Sequence, residues 1–153
     1  MHRLPRHARE ARARFDSMDA DTTMNADARP GLDKLLGFEF EEFSADRVTL
    51  SWNVTPELLQ PYGIVHGGVY CAAVETAAST GAAIWLGDRG TVVGVSNHTD
   101  FLRAASSGRM TGVATPIHRG RSQQLWLVEI TDAESRLVAR GEVRLQNLSP
   151  RGP

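Results

Sequence analysis

The sequence predicts an α+β domain in which a curved antiparallel sheet wraps around one long central helix. Two short alternating stretches come first, a proline-free stretch rich in alanine follows, and four more alternating stretches complete the pattern. A single helix does not cover both faces of a six-stranded sheet. We therefore expect the sheet to curl around the helix, and its outer surface or edge to meet a second copy of the chain.

Apolar and polar residues alternate in the two stretches before the helix. Phe38 and Phe40 alternate with glutamates, and positions 48–54 carry Val, Leu, Trp and Val at every second residue. This period predicts two half-buried strands joined by a turn near 44–46. The leucines within 32–36 are spaced for a short helical turn ahead of them.

The segment from Gly67 to Leu86 is rich in alanine and free of proline, which predicts one long helix closed by Gly87. Its alanines keep it thin, so that strands can approach it closely. Short turns then separate four predicted strands at 91–101, 109–117, 122–131 and 137–147. Their spacing predicts an antiparallel meander, and Pro116 predicts an edge or a bulge in the second of them.

The bulk composition excludes several classes of protein. The 153 residues are 41% hydrophobic and 23% charged with a net charge of -1, so no overall field favours nucleic acid or an anionic membrane. Cys71 is the only cysteine, which favours a reducing, cytoplasmic compartment. We see no stretch that approaches the roughly 20 apolar residues needed to span a bilayer. Residues 1–30 are expected to form a disordered tail before a single domain over 31–148, with a short tail over 149–153.

One carboxylate stands out in the predicted helix. Between Leu58 and Gly87, Glu75 is the only residue with a formal charge at neutral pH. An unpaired buried carboxylate is costly, so the simpler interpretations are a pair with a distant arginine or a solvent-facing position. Ser79 lies one turn further on and Gly68 two turns back, which places a hydroxyl and backbone amides on the same helical face. This grouping favours a catalytic acid.

The start of the helix offers groups that polarise a carbonyl. The amides of Gly67 and Gly68 are expected to be unsatisfied donors at the positive end of the helix dipole, although a tight turn alone would also explain two glycines. His66 is expected to stay neutral and to organise the loop rather than to act as a base. Gln60 and Tyr62 in the preceding loop are candidates for an amide contact and an aromatic wall, or are loop residues only.

These residues together resemble a known family. The run from Gln60 to Gly68, Gln-Pro-Tyr-Gly-Ile-Val-His-Gly-Gly, followed by Glu75 and Ser79, is similar to the hotdog-fold thioesterases of the phenylacetate-degradation and hydroxybenzoyl-CoA type. The similarity covers roughly residues 32–148. It implies a hotdog fold in which chains pair edge to edge, with active sites at the dimer interface of a homodimer or homotetramer.

The resemblance also implies a role for each residue of the motif. The acid acts as nucleophile or general base on the carbonyl of an acyl-CoA thioester, and an amide of the glycine pair polarises that carbonyl. Other side chains position the thioester or hold the hydrolytic water. The implied acid is Glu75, and the implied amide is that of Gly67 or Gly68. Gln60 and His66 are the residues implied to position the thioester, and Ser79 is implied to help hold the water.

Coenzyme A carries phosphates, so arginines in exposed turns are candidate contacts, or ordinary surface residues: Arg103, Arg109, Arg119 and Arg121. We find no phosphate-binding loop motif and no Cys/His spacing for a metal, and we expect no cofactor. An aromatic acyl group, including a naphthoyl group, is favoured over a medium-chain fatty acyl group, with Tyr62, Trp85 and Phe101 as candidate walls. The choice between coenzyme A and an acyl carrier protein stays open.

Two other functions fit the same residues. The first is an acyl-thioester dehydratase or hydratase on the same fold, which would use His66 and Glu75 as a base and acid pair. The second is a non-catalytic acyl-CoA binder, since a fold does not fix a function. Loss of an enoyl chromophore without thiol release would indicate the lyase, and binding without turnover would indicate the binder.

Overall fold

A computed structural model describes residues 31–149, and the tails predicted over 1–30 and 150–153 lie outside the described part. The α-helices and strands follow the predicted order. They are α1 (Leu32–Leu35), β1 (Glu39–Phe43), β2 (Val48–Asn53), α2 (Gly67–Leu86), β3 (Thr91–Phe101), β4 (Arg109–Arg119), β5 (Gln123–Thr131) and β6 (Leu137–Leu148).

The long helix α2 forms the centre of the domain, as predicted. Its alanine-rich face is fully buried, and it packs against β2 through β6. Gly87 ends the helix with a φ of 53°, a conformation that favours glycine. The curved antiparallel sheet around one helix is the hotdog fold expected from the motif.

The strand order corrects the predicted meander. The sheet runs β1-β2-β4-β5-β6-β3, and every neighbouring pair is antiparallel. Only β4, β5 and β6 form a meander, because β3 crosses to the far edge beside β6 and leaves β2 to pair with β4. Pro116 lies at a register shift in β4, which confirms the predicted bulge.

Strand β2 is more buried than its alternation predicts. Val48, Leu50 and Trp52 face the core as expected, yet Ser51 on the other face is also fully buried. Arg109 and Glu41 cover that outer face, because both hydrogen-bond to the Ser51 hydroxyl. Ser51 on the outer face is thus buried beneath the ion pair of Arg109 and Glu41, which the alternation of residues in β2 does not predict.

By length and composition, the helix from Gly67 to Arg89 is apolar enough to cross a membrane, contrary to our expectation. Half of its most apolar window is buried inside the domain, and core helices pass the same test. Gln124, which is 1% exposed, ties it to the sheet by donating to the carbonyl of Ala82 at 3.2 Å. We therefore assign this segment as the core helix.

The packing of α2 against the sheet is testable at Gly81. Replacing a helical glycine with alanine normally stabilises a helix by about 0.5–1 kcal/mol. A Cβ at Gly81 would, however, lie 2.6 Å from the fully buried ring of Trp126. Overpacking of about 1–3 kcal/mol outweighs the propensity gain, so Gly81→Ala should lower the free energy of unfolding in urea. The neighbouring Thr80→Ala is the control. The higher helix propensity of alanine there offsets the lost hydrogen bond from the Thr80 hydroxyl to the carbonyl of Thr76, so the change should stay below about 1 kcal/mol. A stabilised Gly81→Ala would contradict this packing.

Candidate active site

His66 caps the N-terminus of α2. Its backbone is extended, and its Nδ1 accepts a hydrogen bond from the amide of Gly68 over 2.8 Å. A ring nitrogen that accepts carries no proton, so the neutral ring holds its proton on Nε2. The expectation that Gly68 offers a free amide is therefore wrong.

The amide of Gly67 is the donor left at the helix start. Within residues 31–149 it has no hydrogen-bond acceptor, as expected for the first helical position. The ring of Phe101 lies against this residue so closely that a Cβ would sit 2.6 Å from it. Phe101 also contacts Tyr70, with 6.0 Å between ring centroids. Glycine is therefore required here by packing as well as by access to the amide.

Glu75 lies in the middle of α2 and is partly rather than fully buried in a single chain. Its Oε1 accepts from the hydroxyl of Ser79 at 3.3 Å, and its Oε2 accepts from Nδ2 of Asn97 at 3.1 Å. Among the described residues, no arginine, lysine or histidine forms an ion pair with it. The carboxylate is thus held by two neutral donors rather than by a cation.

Strand β3 supplies two contacts that the sequence reasoning missed. Asn97 reaches the carboxylate directly, and a Cβ on Gly94 would lie 2.3 Å from Oε1 of Glu75. A glycine inside a strand often marks a close approach of another group, so the Val93-Gly-Val-Ser run held a usable signal for Gly94. No comparable local signal pointed to Asn97.

The free amide and the carboxylate are too far apart to act on one group within a single chain. Gly67 and Glu75 are eight residues apart on one helix, which corresponds to about 12 Å along its axis. A thioester carbonyl contacts groups about 3 Å away. Within one protomer the amide and the carboxylate therefore form two separate groups, which we call the two halves of the candidate site.

Comparison with known proteins identifies the family. A model described as the thioesterase superfamily matches residues 62–139, about half of the chain, including both halves of the site. The chain belongs to the thioesterase superfamily. The prediction of a thioester hydrolase is thereby confirmed.

Individual members of the superfamily are also similar. A provisionally named esterase of Mycobacterium tuberculosis is 56% identical over 78% of this chain and 87% of its own length, and its solved structure gives a TM-score of 0.77 over 78% of this chain and 98% of that one. A Listeria monocytogenes 1,4-dihydroxy-2-naphthoyl-CoA hydrolase is 33% identical over 71% of this chain and 88% of its own length. The structure of a Haemophilus influenzae thioesterase is 29% identical in sequence and has a TM-score of 0.80, covering 89% of this chain and 94% of that one.

Residues 59–65, which precede the His-Gly-Gly motif, form a small turn. The side chain of Gln60 accepts from the amide of Tyr62 at 2.9 Å, and Leu59 pairs with Val65 across the loop. The ring of Tyr62 is 90% exposed at the tip. Within one chain neither side chain contacts Glu75, so their predicted roles stay predictions.

A groove runs beside the helix start. Its volume is about 290 Å³, its lining is mostly apolar, and His66 and Gly68 are among the lining residues. The remaining lining residues are Leu32, Leu36, Glu57, Leu58, Leu59, Val69 and Ala72. Trp85 lies 18 residues from Gly67, about 27 Å along α2, so it does not share a pocket with Phe101 in one protomer.

The four candidate arginines differ in their surroundings. Arg109 is held by Glu39 at 2.8 Å and by Glu41 at 3.2 Å, which makes it a structural residue rather than a phosphate contact. Arg119 pairs with Asp46 at 2.8 Å, lies 5.6 Å from the Trp85 ring centre and is partly buried. The side chains of the other two, Arg103 and Arg121, are exposed. Among the described residues, no cluster of His, Cys, Asp and Glu is suited to hold a metal ion.

The Glu41 network makes a prediction for acid stability. The hydrogen bond from Ser51, and then that from Arg109, lower the pKa of the Glu41 carboxyl from its usual 4.5. A lowered folded pKa adds stability above the unfolded pKa, and this is lost as the pH falls through the folded value. Glu41→Gln should therefore flatten the fall in unfolding free energy below about pH 5 in urea titrations. Glu42→Gln controls for removing one carboxylate from β1, and equal slopes in both variants would contradict the network.

Proposed function

We propose that this protein hydrolyses an acyl-coenzyme A thioester to a free acid and coenzyme A, with Glu75 as nucleophile or general base. The observation that carries the proposal is a carboxylate held by Ser79 and Asn97, without a cation, on an otherwise uncharged helix. A thioester is an activated acyl group, so such a carboxylate is adequate for the reaction.

Two routes use the same residues. As a general base, Glu75 takes a proton from water while the water oxygen bonds to the acyl carbon. The C–S bond then breaks and the thiolate of coenzyme A takes up a proton. As a nucleophile, the carboxylate bonds to the acyl carbon, and the C–S bond breaks to leave a mixed anhydride on Glu75 and a thiolate that takes up a proton. Water then cleaves the anhydride, which releases the free acid and restores the carboxylate. In either route Ser79 holds the water and the amide of Gly67 stabilises the oxyanion.

The complete site requires two chains. Because about 12 Å separates Gly67 from Glu75 along one helix, the amide of one protomer must act with the carboxylate of its partner. We assign Gly67, Gly68, His66 and Gln60 to the half that positions the thioester, with Tyr62 as a wall from the same loop. Gly68 acts there indirectly, because its amide holds the ring of His66.

The two edges of the sheet support a dimer through β3. The β1 edge carries Glu39, Glu41 and Glu42, which is how proteins block an edge from pairing. The β3 edge instead exposes Val93 and Val95, with exposed fractions of 42% and 49%. We propose that β3 pairs with β3 of a second copy in a homodimer, and that dimers associate further into a homotetramer.

The groove is the proposed site of the acyl group. It is mostly apolar, its volume of about 290 Å³ approaches the roughly 300–1,000 Å³ of small-molecule sites, and His66 is among its lining residues. An aromatic acyl group such as naphthoyl is favoured, in line with the name of the Listeria hydrolase, over a medium-chain fatty acyl group. Arg103 and Arg121 are the proposed phosphate contacts, with Arg119 able to contribute only if it leaves Asp46. We place the enzyme in the cytoplasm, where acyl-CoA is found.

The similar proteins favour hydrolysis over the alternative lyase, because they include a naphthoyl-CoA hydrolase and a thioesterase. A lyase that paired His66 of one protomer with Glu75 of its partner would use the same two halves, and loss of an enoyl chromophore without thiol release would reveal it. A non-catalytic binder would not need a carboxylate free of any cation.

Thiol release over an acyl-CoA panel tests the proposal directly. Glu75→Ala should reduce kcat by at least about a thousandfold while size-exclusion elution stays unchanged, because the reacting group is removed without altering the fold. Ser79→Ala should reduce kcat by only about tenfold, since it removes one hydrogen bond. Undiminished turnover in Glu75→Ala would refute the assignment, and a fatty acyl preference would refute the aromatic one.

Mixed dimers test the shared site. Glu75→Gln and His66→Ala damage different halves, so each homodimer should be weakly active or inactive. Refolding the two variants together should restore one intact site in about half of the dimers, or roughly a quarter of wild-type activity, for a site built from both protomers. Mixing Glu75→Gln with Ser79→Ala is the control, because both changes lie in one half. A lack of recovery in the first mixture would show that each chain holds a complete site.

A further inference from the structure

We propose that Asn97 is a positioning residue that holds the Glu75 carboxylate in its working orientation, and that Thr99 orients Asn97. The inference rests on the proposed function and extends it to a strand outside the His-Gly-Gly motif. Neither residue is predicted to touch the substrate. Their effect is transmitted through the carboxylate.

The amide of Asn97 is fixed by three hydrogen bonds. Its Nδ2 donates to the carbonyl of Cys71 at 3.0 Å and to Oε2 of Glu75 at 3.1 Å. Its Oδ1 accepts from the hydroxyl of Thr99 at 2.7 Å. An amide flipped by 180° would direct its oxygen at the carboxylate and at the Cys71 carbonyl, and would lose both of those bonds. These two acceptors therefore select the orientation in which Asn97 donates to Glu75, and the Thr99 hydroxyl holds the oxygen end of the amide in place.

An irregularity in β3 brings these groups to the helix. Successive side chains of a strand face opposite sides, so Gly94 and Asn97, three apart, would face opposite sides of a regular strand. The pairing of β3 with β6 shifts its register between Gly94 and Ser96. The shift exchanges the faces to which successive side chains of β3 point, so that Gly94 and Asn97 both approach Glu75. Thr99 and Phe101 then lie on the same face of the strand as Asn97, toward the helix.

Two glycines provide the space for this arrangement. Gly94 allows the carboxylate to lie on the strand backbone, since a Cβ there would be 2.3 Å from Oε1 of Glu75. Gly141, which pairs with Thr99 in β6, would bring a Cβ to 2.8 Å from the Thr99 hydroxyl and 2.7 Å from Val74. The contacts among Glu75, Asn97 and Thr99 therefore form in space that these two glycines leave open, on a side of β3 where Asn97 is exposed in a single chain.

The test compares Asn97→Asp, Asn97→Leu and Thr99→Val, with Asn53→Asp as the matched control. Asn53 is exposed at the end of β2 and has no contact with Glu75. Asn97→Asp keeps the shape but replaces the donor with a second carboxylate, which disfavours the ionised form of its neighbour. We expect kcat to fall about tenfold or more with KM within about twofold, and the acid limb of the kcat/KM profile to move up by about one pH unit.

Thr99 should act only through Asn97. Thr99→Val should lower kcat by a smaller factor in the wild-type background and should have no effect when combined with Asn97→Leu, which a double-mutant cycle measures. A merely structural role would give additive losses and would leave the pH profile unmoved. If Asn97→Asp does not fold, Asn97→Leu, Thr99→Val and their combination decide the question.

The outcomes separate this inference from the proposed function. Wild-type kcat and pH profiles in the Asn97 variants, with an inactive Glu75→Ala, would overturn the positioning role alone. If the wild type releases no thiol from any acyl-CoA, the proposed function fails. The role of Asn97 is then decided by NMR of protein with ¹³C-labelled glutamate. The carboxyl signal of Glu75 is identified as the one that is missing in Glu75→Gln. This signal should titrate at higher pH in Asn97→Asp than in Asn53→Asp. Equal titration in the two variants would overturn the positioning role.

Discussion

The candidate active site depends on one contact, that between the carboxylate of Glu75 and strand β3. A charge in the middle of an alanine-rich helix must find donors, and the helix itself supplies only Ser79. Asn97 provides the stronger bond from the sheet, and Gly94 provides the space in which the carboxylate lies. The edge strand is therefore held against the helix by a polar group as well as by apolar packing.

This contact gives β3 two tasks. One side of the strand holds the acid through Asn97, while its free edge, with Val93 and Val95, is the part of the sheet best suited to pair with another chain. The opposite edge strand is charged and takes no part in the site. Association of two chains through β3 would thus place each acid close to the subunit boundary, which is where the spacing along the helix requires it.

Most of the fold was readable from local patterns, and what was missed depends on contacts between distant residues. The helix Gly67–Leu86 was predicted with both ends correct, because glycines and composition mark them locally. The strand order was not predicted correctly, because alternation shows which face of a strand is buried but not which strand is its neighbour. Asn97 was missed for a related reason, since its orientation depends on a register shift that alternation does not reveal. The occupied amide of Gly68 was missed because it depends on the rotamer of His66.

Under the proposed function, the distance between the two halves of the site makes quaternary structure part of the chemistry. An amide and a carboxylate one turn apart on a helix would be about 6 Å apart, close enough to serve one substrate within a single chain. Eight residues and about 12 Å are too far, so under the proposed function the reacting groups meet only when two helices lie side by side. The stability of the β3 edge then sets the fraction of complete sites. A change that weakened pairing at the β3 edge without disturbing Glu75 would lower activity in proportion to the loss of dimer while leaving the properties of each surviving site unaltered.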